Sequence, residues 1–358
     1  MTRFPSSIET LTPELMTSAL AERQPSVEVE NVRVVETSQY GGGRVSTADR
    51  VIIDVDYAPG CDAGLPSRIL LKTFLREPHA PRSMYRNEVR FYRDIRPELA
   101  IETPRGFASM IDEETGHFGV LMEDLSLRSA RFPNATTPIT LEEITGLVCM
   151  LAQLHAQYWA SRRFERDLSW LPTPCSGGMY ETFQKIGFQL IREQIDFEFK
   201  AELVRPLNRS LEQLWEALWK VQDVLASEPI TLLHGDTHIG NTYLLPDGRG
   251  GLIDWQLMVK GRWAQDLTYL LVTALDSEQR RKHEGDLIAI YLGELGRRGV
   301  EAPSEDEAWL LHRQAVVWGL VIGWLITPPE NYGEAITAAN VSRLVTAAQD
   351  LETFQAVT

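Results

Sequence analysis

The segment His234-Gly235-Asp236-Thr237-His238-Ile239-Gly240-Asn241, taken with Ile253-Asp254-Trp255, constrains the fold more than any other part of the chain. Ile230-Thr231-Leu232-Leu233 is a short apolar run that reads as a strand leading into it. Thr242-Tyr243-Leu244-Leu245 reads as the next strand, Pro246 to Gly250 as a turn, and Gly251-Leu252-Ile253 as the returning strand. Such a hairpin carries Asn241 at its start and Asp254 at its end, side by side in space. That is how two ligands far apart in sequence can share one cation. Asp236 has the chemistry to orient an attacking hydroxyl and accept its proton. Asn241 and Asp254 have the oxygen atoms to hold magnesium ions that bridge the phosphates of ATP.

The protein-kinase catalytic loop reads His-Arg-Asp, four residues, Asn, with a metal-binding Asp a short hairpin later. This segment keeps that spacing, with Gly235 in the Arg position and Asp254-Trp255-Gln256 in place of Asp-Phe-Gly. His-Gly-Asp, four residues, Asn resembles the aminoglycoside phosphotransferase and choline kinase family, and the wider match is closest to its ecdysteroid-kinase-like branch. The resemblance runs from about Val27 to about Tyr332 and is strongest over 230–270. It implies an α+β, bilobal, protein-kinase-like fold with a small β-rich N-lobe and a larger helical C-lobe. It also implies that Asp266 supports the catalytic loop. Read from the residues alone, Asp266 is equally suited to cap the helix that follows.

The N-terminal third offers the parts of a nucleotide site. Val27 to Thr37 and Arg50 to Tyr57 alternate like strands around Gly41-Gly42-Gly43, whose amides can approach phosphates with no Cβ in the way. Three glycines between strands also serve as a plain turn. Lys72 lies inside the apolar strand Arg68 to Phe74, where a cation is costly unless it finds an anion. Tyr85, Glu88, Val89 and Tyr92 share one helical face, so Glu88 points with apolar residues and also wants a partner. A strand Lys that binds the α- and β-phosphates, held by a helix Glu, is the kinase arrangement. A snorkelling Lys and a solvated Glu are the plain alternatives. Val120 to Leu125 reads as the hinge, where the family carries a Glu-Asp-Leu. Glu123 and Leu125 flank the backbone expected to meet adenine.

The length of 358 residues suffices for two lobes with real cores, expected over 1–125 and 126–358. A net charge of −15 disfavours nucleic acid or an anionic membrane as partner. Three scattered cysteines without metal spacing point to reduced thiols, and no signal pattern opens the chain, so a cytoplasmic protein is expected. Ala315 to Ile326 is uncharged and holds Gly319-x-x-x-Gly323. It is shorter than the roughly 20 residues a membrane span needs, and it reads as a buried helix ended by Pro328-Pro329.

Thr12-Pro13-Glu14 marks one helix start, and Thr140-Leu141-Glu142-Glu143 opens another with a capping-box pattern. His155 reads as a structural histidine with a backbone partner. Residues 178–226 read as a long helical insertion and 276–358 as mostly helical. The gap between Asp254 and Asp266 is too short for the activation segment of a protein kinase. The expected acceptor is therefore a small molecule carrying a hydroxyl, bound between the catalytic loop and the C-terminal helices. Trp309, His312, Trp318, Trp324 and Tyr332 enrich those helices in aromatics, which favours a neutral or partly hydrophobic alcohol unless they are simply core.

Three rivals share parts of this pattern. One is an antibiotic phosphotransferase of the aminoglycoside type. Another is a nucleotide-binding pseudokinase. The third takes His234, Asp236, His238 and Asp254 as a metal-hydrolase cluster.

Overall fold

A computed structural model describes residues 10–38, 48–75 and 80–357. The chain forms two compact units, 1–99 with 103–130 and 100–102 with 131–358. The smaller unit is built on an antiparallel five-stranded sheet. Its strands are β1 (Val29–Ser38), β2 (Asp49–Tyr57), β3 (Arg68–Thr73), β4 (Gly106–Ile111) and β5 (Phe118–Glu123), in the order β1-β2-β3-β5-β4. Period-two burial along β2 turns Val51, Ile53 and Val55 onto one face. There they meet Ile69, Leu71 and Leu121 from neighbouring strands, with Met16, Ala19 and Leu20 of helix α1 (Pro13–Ala21) closing the core. Thr12 caps α1 as its sequence suggests. Helix α2 (Arg82–Arg90) continues into a wider turn over Phe91–Ile95. Tyr85, Glu88, Val89 and Tyr92 are all buried there, as the helical spacing predicts.

The larger unit is mainly helical. Its first long helix, α3 (Leu141–Tyr158), opens with the full reciprocal capping box of Thr140 and Glu143. The 178–226 region differs from the single long insertion its sequence suggests. It breaks into α4 (Gly177–Thr182), α5 (Phe188–Ile195), α6 (Glu198–Val204) and α7 (Leu211–Leu225). Pro206 and the left-handed Asn208 interrupt it before Ser210 caps α7. Four short strands follow, β6 (Thr231–Leu233), β7 (Thr242–Leu244), β8 (Gly250–Leu252) and β9 (Val259–Gly261). Of these, β6 pairs with β9 and β7 pairs with β8, both antiparallel.

The chain then runs through α8 (Ala264–Ala274), α9 (Ser277–Arg297), α10 (Glu305–Trp318), α11 (Pro329–Tyr332), α12 (Glu334–Asp350) and α13 (Thr353–Ala356). Helix α3 packs on α9, and α8 packs on α10. The apolar run after Ala315 is buried, but it is not one regular α-helix. Gly319–Leu325 widens into a π-helical turn. Among the described residues, no helix is long and apolar enough to cross a membrane.

The Gly319-x-x-x-Gly323 pair has a use inside the chain. A Cβ on Gly319 would lie 2.8 Å from the Tyr269 ring, and one on Gly323 would lie 2.4 Å from the Tyr269 hydroxyl. The two glycines form the seat of that tyrosine.

Candidate active site

The loop between β6 and β7 carries Asp236 and Asn241, and the end of β8 carries Asp254. The β7–β8 pairing sets Thr242 opposite Leu252, and the next rung is the Ile253 N–H donating to the Asn241 carbonyl at 2.9 Å. Asn241 therefore sits at the mouth of the hairpin beside the residue that precedes Asp254. Two backbone conformations shape this loop. Gly235 has φ +83°, and a Cβ there would lie 2.0 Å from the Leu257 carbonyl oxygen. No side chain fits at this point, which explains glycine between His234 and Asp236. Asp254 has φ +65°, a left-handed conformation that Asp and Asn tolerate better than most residues.

The loop is held from below by a wholly buried carboxylate. Asp266 accepts the His234 N–H at 2.7 Å and the Gly235 N–H at 2.9 Å, and its carbonyl accepts the Thr237 hydroxyl at 2.6 Å. It lies inside the first turn of α8 and braces the loop rather than merely capping a helix. His155, also fully buried, lies with Nε2 3.3 Å from Asp266 and Nδ1 2.7 Å from the Tyr291 hydroxyl. Its role is structural, as its sequence setting suggests, but its partners are side chains and not backbone. His234 places Nε2 at 2.9 Å from the Ile253 carbonyl, while its Nδ1 accepts the Asp236 N–H at 3.2 Å. It clips the β6–β7 loop to the hairpin. Thr273, which no sequence signal singles out, accepts the Ile239 N–H at 3.0 Å.

The Asp236 carboxylate keeps an open edge, 21% exposed. The Asn241 amide nitrogen donates to it at 3.0 Å and to the Asp236 carbonyl at 2.8 Å. Burial, reinforced by the Asp254 charge against the opposing Asn241 bond, pushes Asp236 up to about 8. With its nitrogen turned to Asp236, Asn241 is left with Oδ1 as the atom that could hold a metal ion. That oxygen and the Asp254 carboxylate are hard donors, and two protein ligands suit magnesium, which keeps waters and phosphate oxygens as its other ligands.

His238 is 3% exposed. The Gly240 N–H donates to its Nδ1 at 3.1 Å, which assigns its proton to Nε2. Burial, with His234 close by, pushes its pKa down to about 3, so the ring is neutral. Around it stand Trp324 at 5.5 Å, Tyr332 at 5.5 Å and Tyr269 at 5.9 Å, centroid to centroid, all edge-on. The Tyr332 hydroxyl lies 3.3 Å from Nε2. Counting these aromatics as core is right for burial at Trp318 and Trp324. Composition alone could not show that Trp324 and Tyr332 gather around a histidine of the β6–β7 loop. His312 instead joins a buried network with Glu284 and Thr268, and Trp309 is exposed.

In the smaller unit, Lys72 finds its anion in Glu88, Nζ to Oε1 at 2.9 Å, with side chains 5% and 1% exposed. Lys72 sits opposite Val120 on β5, two positions before the strand's Met122-Glu123 end. The Glu123 backbone N–H donates to the Arg105 carbonyl at 2.9 Å, and its carboxylate accepts the Arg105 N–H at 3.2 Å. Leu125 is buried, just after Asp124, whose carboxylate accepts the Ser126 N–H. Gly41, Gly42 and Gly43 lie outside the described residues.

The hydrolase alternative finds no support. Among the described residues, no group of three or more His, Cys, Asp or Glu side chains is placed to hold a metal ion.

A family model described as the phosphotransferase enzyme family matches residues 63–302. No curated protein matches the chain in sequence. Solved structures do. A candidate aminoglycoside phosphotransferase from Ralstonia eutropha is 15% identical, with a TM-score of 0.51, covering 93% of this chain and 98% of that one. A spectinomycin phosphotransferase, solved with ADP and spectinomycin, is 12% identical, with a TM-score of 0.51, covering 96% of this chain and 99% of that one. At these identities the likeness is one of fold.

Proposed function

Because the chain belongs to the phosphotransferase enzyme family, we propose that it transfers the γ-phosphoryl group of ATP, with magnesium, to a hydroxyl of a small neutral or partly hydrophobic molecule. The observation that carries this reading is the union of Asp236, Asn241 and Asp254 at one hairpin mouth. Asp236 orients the acceptor hydroxyl and takes its proton late. Asn241 Oδ1 and the Asp254 carboxylate hold the metal. Bound magnesium supplies charge neutralisation at the phosphate oxygens. Lys72, fixed by Glu88, meets the α- and β-phosphates, and the Gly41–Gly43 segment covers them. Backbone between Glu123 and Leu125 receives the adenine. Positioning and preset charge, rather than covalent chemistry, supply most of the rate.

Residues 1–125 then serve the nucleotide and 126–358 the chemistry and the acceptor. The buried Lys72–Glu88 pair in the smaller unit, together with an intact Asp236 and Asn241 in the larger one, favours an active enzyme over a pseudokinase. A polycationic antibiotic calls for several carboxylates. Of the acids on the C-terminal helices, Asp306, Glu330 and Glu334 are exposed, and Glu307 pairs with Arg262. The aromatic surroundings of His238 favour an acceptor with an apolar face. The free thiols Cys61, Cys149 and Cys175 support a cytoplasmic setting.

The test is a magnesium-ATP phosphotransfer screen across a library of alcohols, with wild type and Asp236→Ala in parallel. A transfer present in the wild type and lost in the variant supports the reading and names the acceptor class. Equal transfer by both proteins contradicts it.

A further inference from the structure

His238 Nε2 lies 3.9 Å from Asp236 Oδ2. That is beyond a direct hydrogen bond, yet one oxygen placed between the two atoms can meet each at about 2.8 Å. With Nδ1 occupied by the Gly240 N–H, Nε2 carries the proton and is a donor, now 3.3 Å from the Tyr332 hydroxyl and able to turn from it to an oxygen beside Asp236. A hydroxyl in that position gives its proton to Asp236 and accepts from His238. Its remaining lone pair is left to attack.

The walls around this point are aromatic. Trp324 and Tyr332 stand 4.8 Å apart and both face His238 edge-on. Trp324 lies within the π-helical turn over Gly319–Leu325, a kind of irregularity that recurs at functional sites. The turn is fastened by Lys200, whose ammonium donates to the carbonyls of Trp324 at 3.3 Å, Leu325 at 3.2 Å and Thr327 at 2.6 Å.

We propose that His238 is the second anchor of the acceptor hydroxyl, and that the half-buried Tyr332, backed by the buried Trp324, forms the wall against which the acceptor's uncharged, ring-bearing carbon skeleton lies. This rests on the phosphotransferase reading above. In the step itself, the acceptor oxygen forms a bond to the γ-phosphorus as the bridging bond to ADP breaks. The hydroxyl proton passes to Asp236 and then to water. His238 stays neutral throughout and acts by orientation. Lys200 is a positioning residue.

Steady-state kinetics with magnesium-ATP test this. Benzyl alcohol and cyclohexanemethanol serve as uncharged ring probes, choline and kanamycin as cationic ones. The uncharged probes should be phosphorylated and the cationic ones not. His238→Ala should raise the acceptor KM or lower kcat/KM for the acceptor at least about thirtyfold, while the KM for ATP moves less than about twofold. His238→Gln, whose amide nitrogen can stand in for Nε2–H, should recover to within about fivefold of wild type, which a packing defect would not allow. Tyr332→Leu should raise the acceptor KM about tenfold with little change in kcat.

A matching rise in the KM for ATP in His238→Ala would place His238 on phosphate and overturn the proposal. So would phosphorylation of choline or kanamycin but neither ring probe, or of no probe while Asp236-dependent ATP turnover persists. ATP turnover that Asp236→Asn leaves intact would strike the underlying phosphotransferase reading instead.

Discussion

Asn241 donates from a single amide nitrogen to both the carboxylate and the carbonyl of Asp236, at 3.0 and 2.8 Å. The same residue's carbonyl accepts the Ile253 N–H at 2.9 Å, next to Asp254. One side chain therefore sets the proposed base and presents the proposed metal-binding oxygen. Asn241→Asp keeps an oxygen ligand but replaces the donor with a third carboxylate against Asp236 and Asp254. The expected outcome is a fall in kcat of about 10²–10³ at saturating magnesium. Turnover within threefold of wild type would break the link between the two roles, on the scale of about 0.7 kcal/mol that such a ratio represents.

Gly235→Ala tests the backbone of the loop. A methyl 2.0 Å from a carbonyl oxygen forces the loop away from Leu257. Urea unfolding should show a loss of about 3 kcal/mol or more, from both the clash and the positive φ. A loss under about 1 kcal/mol would mean that the loop can shift freely.

Asp254→Asn separates charge from conformation. Asn tolerates the left-handed backbone at this position as well as Asp does, so the melting temperature should move by only a few degrees. Transfer should fall by at least about 10², because the metal loses its charged ligand. Unfolding in place of this selective loss would assign Asp254 a structural role.

The Lys72–Glu88 pair gives a cycle with two readouts. Lys72→Met strands a buried carboxylate and should cost about 3 kcal/mol of stability. The double variant Lys72→Met with Glu88→Leu should recover most of that stability but not ATP affinity. Recovery of both would leave no phosphate-binding role for Lys72.

Acid stability should depend on Glu284. Burial pushes its carboxyl up, but the His312 hydrogen bond and the Arg280 guanidinium outweigh it and hold the group below its ordinary 4.5. A lowered folded pKa contributes stability that is present above the unfolded value and lost as pH falls below it through the folded value. Wild type should therefore weaken as pH drops below 4.5, and Glu284→Gln should show a flatter slope there and a lower plateau at pH 7. Identical slopes would remove Glu284 from the acid response.

The parts legible in the sequence are those with local physical signatures. Alternation marked β2, helical spacing marked the buried face of α2, and the Thr140 capping box opened α3 as written. The hairpin that joins Asn241 to Asp254 followed from turn residues between two apolar runs. What the sequence left hidden depends on contacts between distant elements. His155 meets Asp266 and Tyr291, residues more than a hundred positions away, and no local pattern encodes that. The Gly319-x-x-x-Gly323 spacing says only that something packs closely, and Tyr269 is what fills it. The break-up of 178–226 was foreshadowed by Pro206, but helical propensity on either side masked it.

The most direct test of the central claim is γ-phosphoryl transfer by wild type and Asp236→Asn, with ATP affinity measured in parallel by calorimetry. Removing a base while keeping its shape should lower kcat by about 10²–10⁴ and leave the ATP Kd within about threefold. Wild-type turnover by Asp236→Asn would contradict the assignment of Asp236, and with it the proposed mechanism.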